Sequence, residues 1–119
     1  MGADPQDAIR RGGVYRINLE PTVGREMKKT RPCVVVQRDS ANRTSPLVIV
    51  CPLTDAHGKA ENLLNVLVPR GVGGRTKDSL VVCNAIRSVD KSRVVRYEGS
   101  LPPAVMDGVD RGLRAILDL

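Results

Sequence analysis

The chain has 119 residues and a mass of 12.9 kDa, with 41% hydrophobic and 27% charged positions, a length that fits one domain able to bury roughly two-thirds of its unfolded surface. Its 19 lysines and arginines outnumber its 13 aspartates and glutamates for a net charge of +6, and 14 of the 19 are arginine, whose planar fork suits phosphate better than a lysine does. These figures argue against a multi-domain enzyme, no apolar run approaches the ~18 residues of a membrane span, and a polyanionic partner is the class they favour.

Residues 1–10 are polar and without periodicity and read as a flexible tail ahead of a single domain over 11–119. The first residues also lack the apolar stretch of a secretion signal, so the expected location is the cytoplasm. From Val14 to Leu19, Tyr15, Ile17 and Leu19 alternate with Arg16 and Asn18, the period of a half-buried strand. Glu20 to Arg31 is a long polar stretch with Pro21 and Gly24 and no apolar period; loops of that length inside a small domain are often functional. Cys33–Gln37 and Leu47–Cys51 are short β-branched runs that predict central strands, with a polar turn over Arg38–Pro46 between them. Leu64, Val66 and Val68 predict another strand, Gly71, Gly73 and Gly74 a loop, and Ser79–Cys83 a buried strand. Asn84–Asp90 is ambiguous, with room for one helical turn, and Arg93–Tyr97 predicts a short strand. The final segment predicts a helix capped by Ser100, with Pro102 and Pro103 in its first turn and Val105, Val109, Leu113 and Ile116 on its buried face. The sum is a mainly β, mostly antiparallel domain with a C-terminal helix across it.

Elimination narrows the chemistry. The three cysteines sit in apolar strings without a CxxC pair, which predicts small core residues rather than disulfides or a zinc site. His57 is the only histidine and has no carboxylate pair at ligand spacing, so no metal site is expected, nor a serine or cysteine triad. His57 itself reads as a solvated loop residue. Gly71-Val72-Gly73-Gly74-Arg75 lacks the GK[ST] ending of a phosphate-binding P-loop. Aromatic stacking can be only a minor device, with Tyr15 and Tyr97 the two aromatic residues.

What remains is a set of basic and hydroxyl groups at strand ends. Pro32 biases Arg31 toward an extended backbone where the long loop meets a central strand. Thr54 follows the neighbouring buried strand in Pro52-Leu53-Thr54. An arginine and a hydroxyl at one spot receive a phosphodiester well; the structural alternative is an Arg31–Asp39 ion pair with Thr54 capping a turn.

The ordered set of motifs resembles the MazF/PemK family of toxin endoribonucleases. It comprises Arg11-Gly12-Gly13-Val14-Tyr15, Leu19-Glu20-Pro21-Thr22-Val23-Gly24-Arg25-Glu26, Lys28-Lys29-Thr30-Arg31-Pro32, Asp39-Ser40-Ala41-Asn42, Pro52-Leu53-Thr54, Lys77-Asp78-Ser79, Ile86-Arg87-Ser88-Val89-Asp90-Lys91-Ser92-Arg93 and the closing helix, over about residues 11 to 119. The resemblance implies an SH3-like antiparallel β-barrel with a C-terminal helix, acting as a homodimer. It implies cleavage of single-stranded RNA or mRNA without metal or other cofactor, and neutralisation by a MazE-like antitoxin. It places catalysis on Arg31 and Thr54, and implies RNA contacts from Arg25, Lys28, Lys29, Thr30 and Arg87, though an ion pair with Asp90 is an equal reading of Arg87. One departure stands out: Asn84-Ala85 occupies the place of a common Glu-Gln. The alternatives are a gyrase-inhibiting toxin of the CcdB type and an RNA-binding module without catalysis; the chain has no tryptophan, which counts against the former.

Overall fold

β3 (Leu47–Asp55) is the strand around which the others are arranged, because three of them pair with it. The structure, a computed structural model, describes residues 9–19 and 30–119. Ahead of β3 come β1 (Gly13–Asn18), β2 (Thr30–Val35) and a short helix, α1 (Asp39–Thr44); after it come β4 (Asn65–Val68) and β5 (Ser79–Val82). A 3₁₀ turn at Cys83–Ala85 leads into β6 (Arg87–Asp90), a second at Lys91–Arg93 into β7 (Val94–Ser100), and α2 (Pro103–Leu117) follows. The seven strands run in the order β4-β5-β3-β2-β1-β7, with β6 also on β3, and every pairing is antiparallel. The fold is therefore mainly β with a C-terminal helix, as expected.

Both faces of the sheet are buried, and the two-residue period of the strands sorts side chains between them. Val14, Val34, Cys51, Leu53 and Val81 pack under Met106 and Val109 of α2. Tyr15, Ile17, Cys33, Val35, Val48, Val50 and Val94 form a second layer on the other face. Burying a Val- or Leu-sized side chain is worth about 1.5–3 kcal/mol, so these two layers, rather than strand propensity, hold such short strands together. The helix approaches closely because residue 112 is glycine: a Cβ there would lie 2.7 Å from both Cys83 Sγ and the Leu63 carbonyl oxygen.

Several expectations need correction. The polar stretch after β2 contains α1, pinned by the buried Asn42, whose amide donates to the Gln37 carbonyl at 2.9 Å and to Asp39 Oδ1 at 3.1 Å. A helix held by one buried amide has no apolar period to read. Ser100 is not the cap of α2; it ends β7, its Oγ lies 2.7 Å from Tyr97 Oη, and Pro102 holds the cap position. The fully buried residues of α2 are Met106, Val109 and Gly112, with Val105 and Leu113 half-buried against the same core as expected, while Ile116 is 42% exposed. Asn84–Asp90 divides into the end of the 3₁₀ turn and β6. Thr30 and Arg31 belong to β2 rather than to the loop before it. Of the expected tail, residues 1–8 lie outside the described residues, and Ile9 is buried in the second layer.

Candidate active site

β2 and β3 run side by side from Val35↔Val50 to Cys33↔Pro52 and then part. Pro32 explains the parting: Val36 N–H donates to the Ile49 carbonyl at 3.0 Å, so alternate residues of β2 face β3, and at Pro32 that series has no N–H to give the ladder. Beyond it β3 pairs with β5 through Leu53↔Val81 and Thr54↔Leu80, while β2 stays on β1 through Ile17↔Arg31. Extending the β2–β3 register two residues past its last pair sets Arg31 opposite Thr54. Both are exposed, and both line one cleft of about 290 Å³ with Arg16, Thr30, Asp55, His57 and Arg75.

The backbone around the cleft has local causes. Asp55 ends β3, and a tight turn follows in which His57 (φ 50°) and Gly58 (φ 76°) are both left-handed and Lys59 N–H donates to the Ala56 carbonyl at 2.9 Å. That is the backbone of a type I′ turn, and it brings His57 to the cleft rather than away from it. Gly74 matters for a different reason: a Cβ there would lie 2.1 Å from the Glu98 carbonyl oxygen. The glycines after β4 thus let the loop lie on β7 and deliver Arg75 to the site, a packing role and not a nucleotide loop.

Charge in the cleft is organised by Glu98. Arg16 donates to it through Nε at 3.0 Å and Nη2 at 3.3 Å, Arg75 Nη1 lies at 3.5 Å, and Arg96 Nη2 at 3.3 Å. Arg75 also donates from Nε to Ser79 Oγ at 3.1 Å. Burial pushes the Cys33 thiol up to about 12, although Arg87, Arg16 and Arg31 pull it down, and burial likewise pushes Cys51 up to about 12. The cysteines are free and buried, so they pack rather than react.

Of the residues singled out in the sequence, Thr30, Arg31 and Thr54 are brought together. Arg87 sits on β6 opposite Val50, exposed and outside the lining of the cleft. Arg25, Lys28 and Lys29 lie outside the described residues. The structural alternatives for two arginines fail: among the described residues neither Arg31 nor Arg87 makes an ion pair. Asp39 instead accepts from Arg11 N–H at 2.7 Å, and Asp90 from Ser92 N–H at 2.8 Å. Arg16, Asp55, Arg75 and Glu98 were missed. Arg16 carried a signal as the charged position between Tyr15 and Ile17, and Arg75 as the residue ending a glycine run; Glu98 carried none. Among the described residues no group of three or more His, Cys, Asp or Glu is placed to hold a metal ion, and no helix is long and apolar enough to cross a membrane.

Comparison with known proteins matches residues 10–117 to the family described as the PemK-like, MazF-like toxin of type II toxin–antitoxin systems. The chain is 37% identical over 111 residues to endoribonuclease MazF of Staphylococcus epidermidis, covering 93% of this chain and 92% of that protein. It is 36% identical over 111 residues to endoribonuclease EndoA of Bacillus subtilis, covering 93% and 96%. Among solved structures, a mycobacterial endoribonuclease in complex with its cognate antitoxin superposes with a TM-score of 0.75 at 25% identity, over 94% of this chain and 97% of that one. A MazE–MazF structure from Deinococcus radiodurans shares the fold with a TM-score of 0.79 at 24% identity, over 95% and 99%.

Proposed function

The chain belongs to the family of PemK-like, MazF-like toxins of type II toxin–antitoxin systems, and from that premise we propose that it is an endoribonuclease toxin cutting single-stranded RNA in the cleft shared by Arg31 and Thr54. The observation that carries the assignment to this cleft is the register that sets these two residues opposite each other where β2 and β3 part.

The chemistry follows from what the cleft offers. The RNA's own 2′-oxygen attacks the adjacent phosphorus, the 2′-O–P bond forms, and the P–O5′ bond breaks. The 2′-hydroxyl loses its proton and the departing 5′-oxygen gains one, so the products are a 2′,3′-cyclic phosphate and a 5′-hydroxyl. Negative charge builds on the phosphoryl oxygens in between. Arg31 clamps that charge and Thr54 Oγ1 donates to it, each good donor being worth on the order of 3 kcal/mol in the transition state. A guanidinium stays charged below pH ~12, so Arg31 acts as an electrostatic clamp rather than as a base. Thr30, Arg87 and the loop residues Arg25, Lys28 and Lys29 would hold the flanking strand. The active form would be a homodimer, and an acidic segment of a MazE-like antitoxin would compete with RNA for the same basic cleft; cleavage undiminished by saturating antitoxin would refute that competition.

The test is incubation of the purified protein with a long mixed-sequence RNA in EDTA, followed by mapping and chemical typing of the ends. Discrete cuts ending in cyclic phosphate are expected, with rates lowered about 10²–10³-fold by Thr54→Ala and at least as far by Arg31→Ala. Cleavage undiminished in both variants would sink the site assignment. RNA bound but never cut would leave a binding module in place of the nuclease.

A further inference from the structure

We propose that Arg16 and Arg75, held by Glu98, form a second phosphate subsite of the cleft, taking a backbone phosphate of the same RNA strand beside the one that is cut. The inference rests on the reading of the cleft as an RNA-cleaving site, and it adds residues that the catalytic pair does not include.

Three observations converge on it. First, Arg16 comes from β1, where it pairs with Pro32 and Arg96, and Arg75 from the loop after β4, yet both line the cleft with Arg31 and Thr54. Second, one carboxylate serves three guanidiniums: the Glu98 side chain is 11% exposed and is bonded by Arg16, Arg75 and Arg96. Three positive charges gathered on one negative charge leave an excess, and keeping the Arg75 side chain at 11% exposure carries a desolvation cost. That excess is repaid when an anion enters. Glu98 meanwhile fixes the planes of both forks, the preorganisation that phosphate binding needs. Third, the lining is mostly polar: among the described residues Pro32 and Leu53 are its apolar members and His57 is its one aromatic ring, with no Tyr, Phe or Trp, so it offers more to sugar and phosphate than to a stack of bases. Asp55 is the lining carboxylate, outnumbered by Arg16, Arg31 and Arg75. At about 290 Å³ the cleft has room for about ten waters, more than a single phosphate group displaces.

A phosphate contact positions a strand without reading its bases. Arg16 and Arg75 therefore set the strand so that the scissile bond falls between Arg31 and Thr54, and base preference is decided elsewhere. Glu98 is a positioning residue, acting through the two arginines.

The experiment uses an oligonucleotide spanning a mapped cut site, with 2′-O-methyl at the cut nucleotide so that it binds and is not cleaved. Its affinity is measured against salt for the wild type, Arg16→Gln, Arg96→Gln and Glu98→Gln, with cleavage of the unmodified oligonucleotide alongside. Each phosphate neutralised on a single strand contributes about 0.7 to the log–log salt slope, so Arg16→Gln should lower the slope by about that much. It should raise KM about 10- to 100-fold, the worth of a charge-assisted hydrogen bond, with kcat little changed. Arg96→Gln removes the same charge from the same cluster, at a side chain that is 66% exposed, and should leave slope and KM near wild type. Glu98→Gln makes the protein more positive, so charge alone would tighten binding, whereas loss of positioning weakens it; weakening is expected. Arg75→Gln, checked first by thermal unfolding because its site is buried, should repeat the Arg16→Gln result. Equal slopes for Arg16→Gln and Arg96→Gln, or tighter binding by Glu98→Gln, would overturn the subsite while wild-type cleavage still stood. A wild type that cuts no RNA would overturn the nuclease reading and the subsite with it.

Discussion

The two halves of β3 belong to one strand, which runs past the expected end at Cys51 to include Thr54, and they serve different ends. Leu47–Val50 pairs with β6, Leu53–Asp55 pairs with β5, and β2 lies along the other edge only from Val50 to Pro52. In the first half Val48 and Val50 are buried and the exposed residues that alternate with them, Leu47 and Ile49, are apolar. In the second half the exposed position is Thr54, and it faces a cleft because its neighbour strand has left. Where the ladder is complete a strand supports; where Pro32 interrupts it the strands expose functional groups to a ligand.

Adjacent residues of the second half separate the two roles most sharply. Leu53 is 1% exposed in the layer under α2, so Leu53→Ala should cost about 2–5 kcal/mol of stability. Leu53 also borders the cleft but offers it no polar group, so the protein that remains folded should still cut RNA. Thr54→Ala should show the reverse, losing cleavage with little change in thermal midpoint. A Thr54→Ala variant that unfolds as early as Leu53→Ala would break the comparison. A smaller effect tests the first half. Arg87, opposite Val50 and away from the cleft, should on replacement by alanine weaken cleavage less than about tenfold, through binding rather than kcat. A loss as large as that of Arg31→Ala would move the chemistry toward β6.

The smallest effect concerns α1, which leads into the first half. Hydrogen bonds from Arg11 N–H and the Asn42 side chain hold the Asp39 carboxyl below its ordinary 3.8. A lowered folded pKa means that the charged form is favoured by folding, so this stability is present at neutral pH. It declines as the pH falls below about 4 and is gone below the folded value. Asp39→Asn should flatten that acid limb of the stability curve by a small amount, since the group is largely solvated. Acid unfolding identical to wild type would remove Asp39 from the account of α1.

How much of this was legible depends on whether the cause was local. The alternations of Tyr15–Leu19 and Leu64–Val68, the β-branched runs of β2 and β3, and the cysteines among them announce buried strands because burial on a sheet imposes a period of two. Arg31 and Thr54 were legible through the prolines beside them and through ordered motifs resembling a known family. α1 was not, since a buried asparagine makes its bonds to Gln37 and Asp39 without an apolar stripe.

By itself, then, the sequence determined the β character, the reduced core cysteines, the basic excess and the two residues proposed for catalysis, because each is set by residue type and near neighbours. Only the tertiary structure decided that Arg16 and Arg75 join them, since that depends on a glycine loop lying against β7 and on Glu98, far along the chain, receiving three arginines at once. Hydrogen bonds and charge act over a few ångströms of space whatever the separation in sequence, and a linear pattern holds no record of that distance.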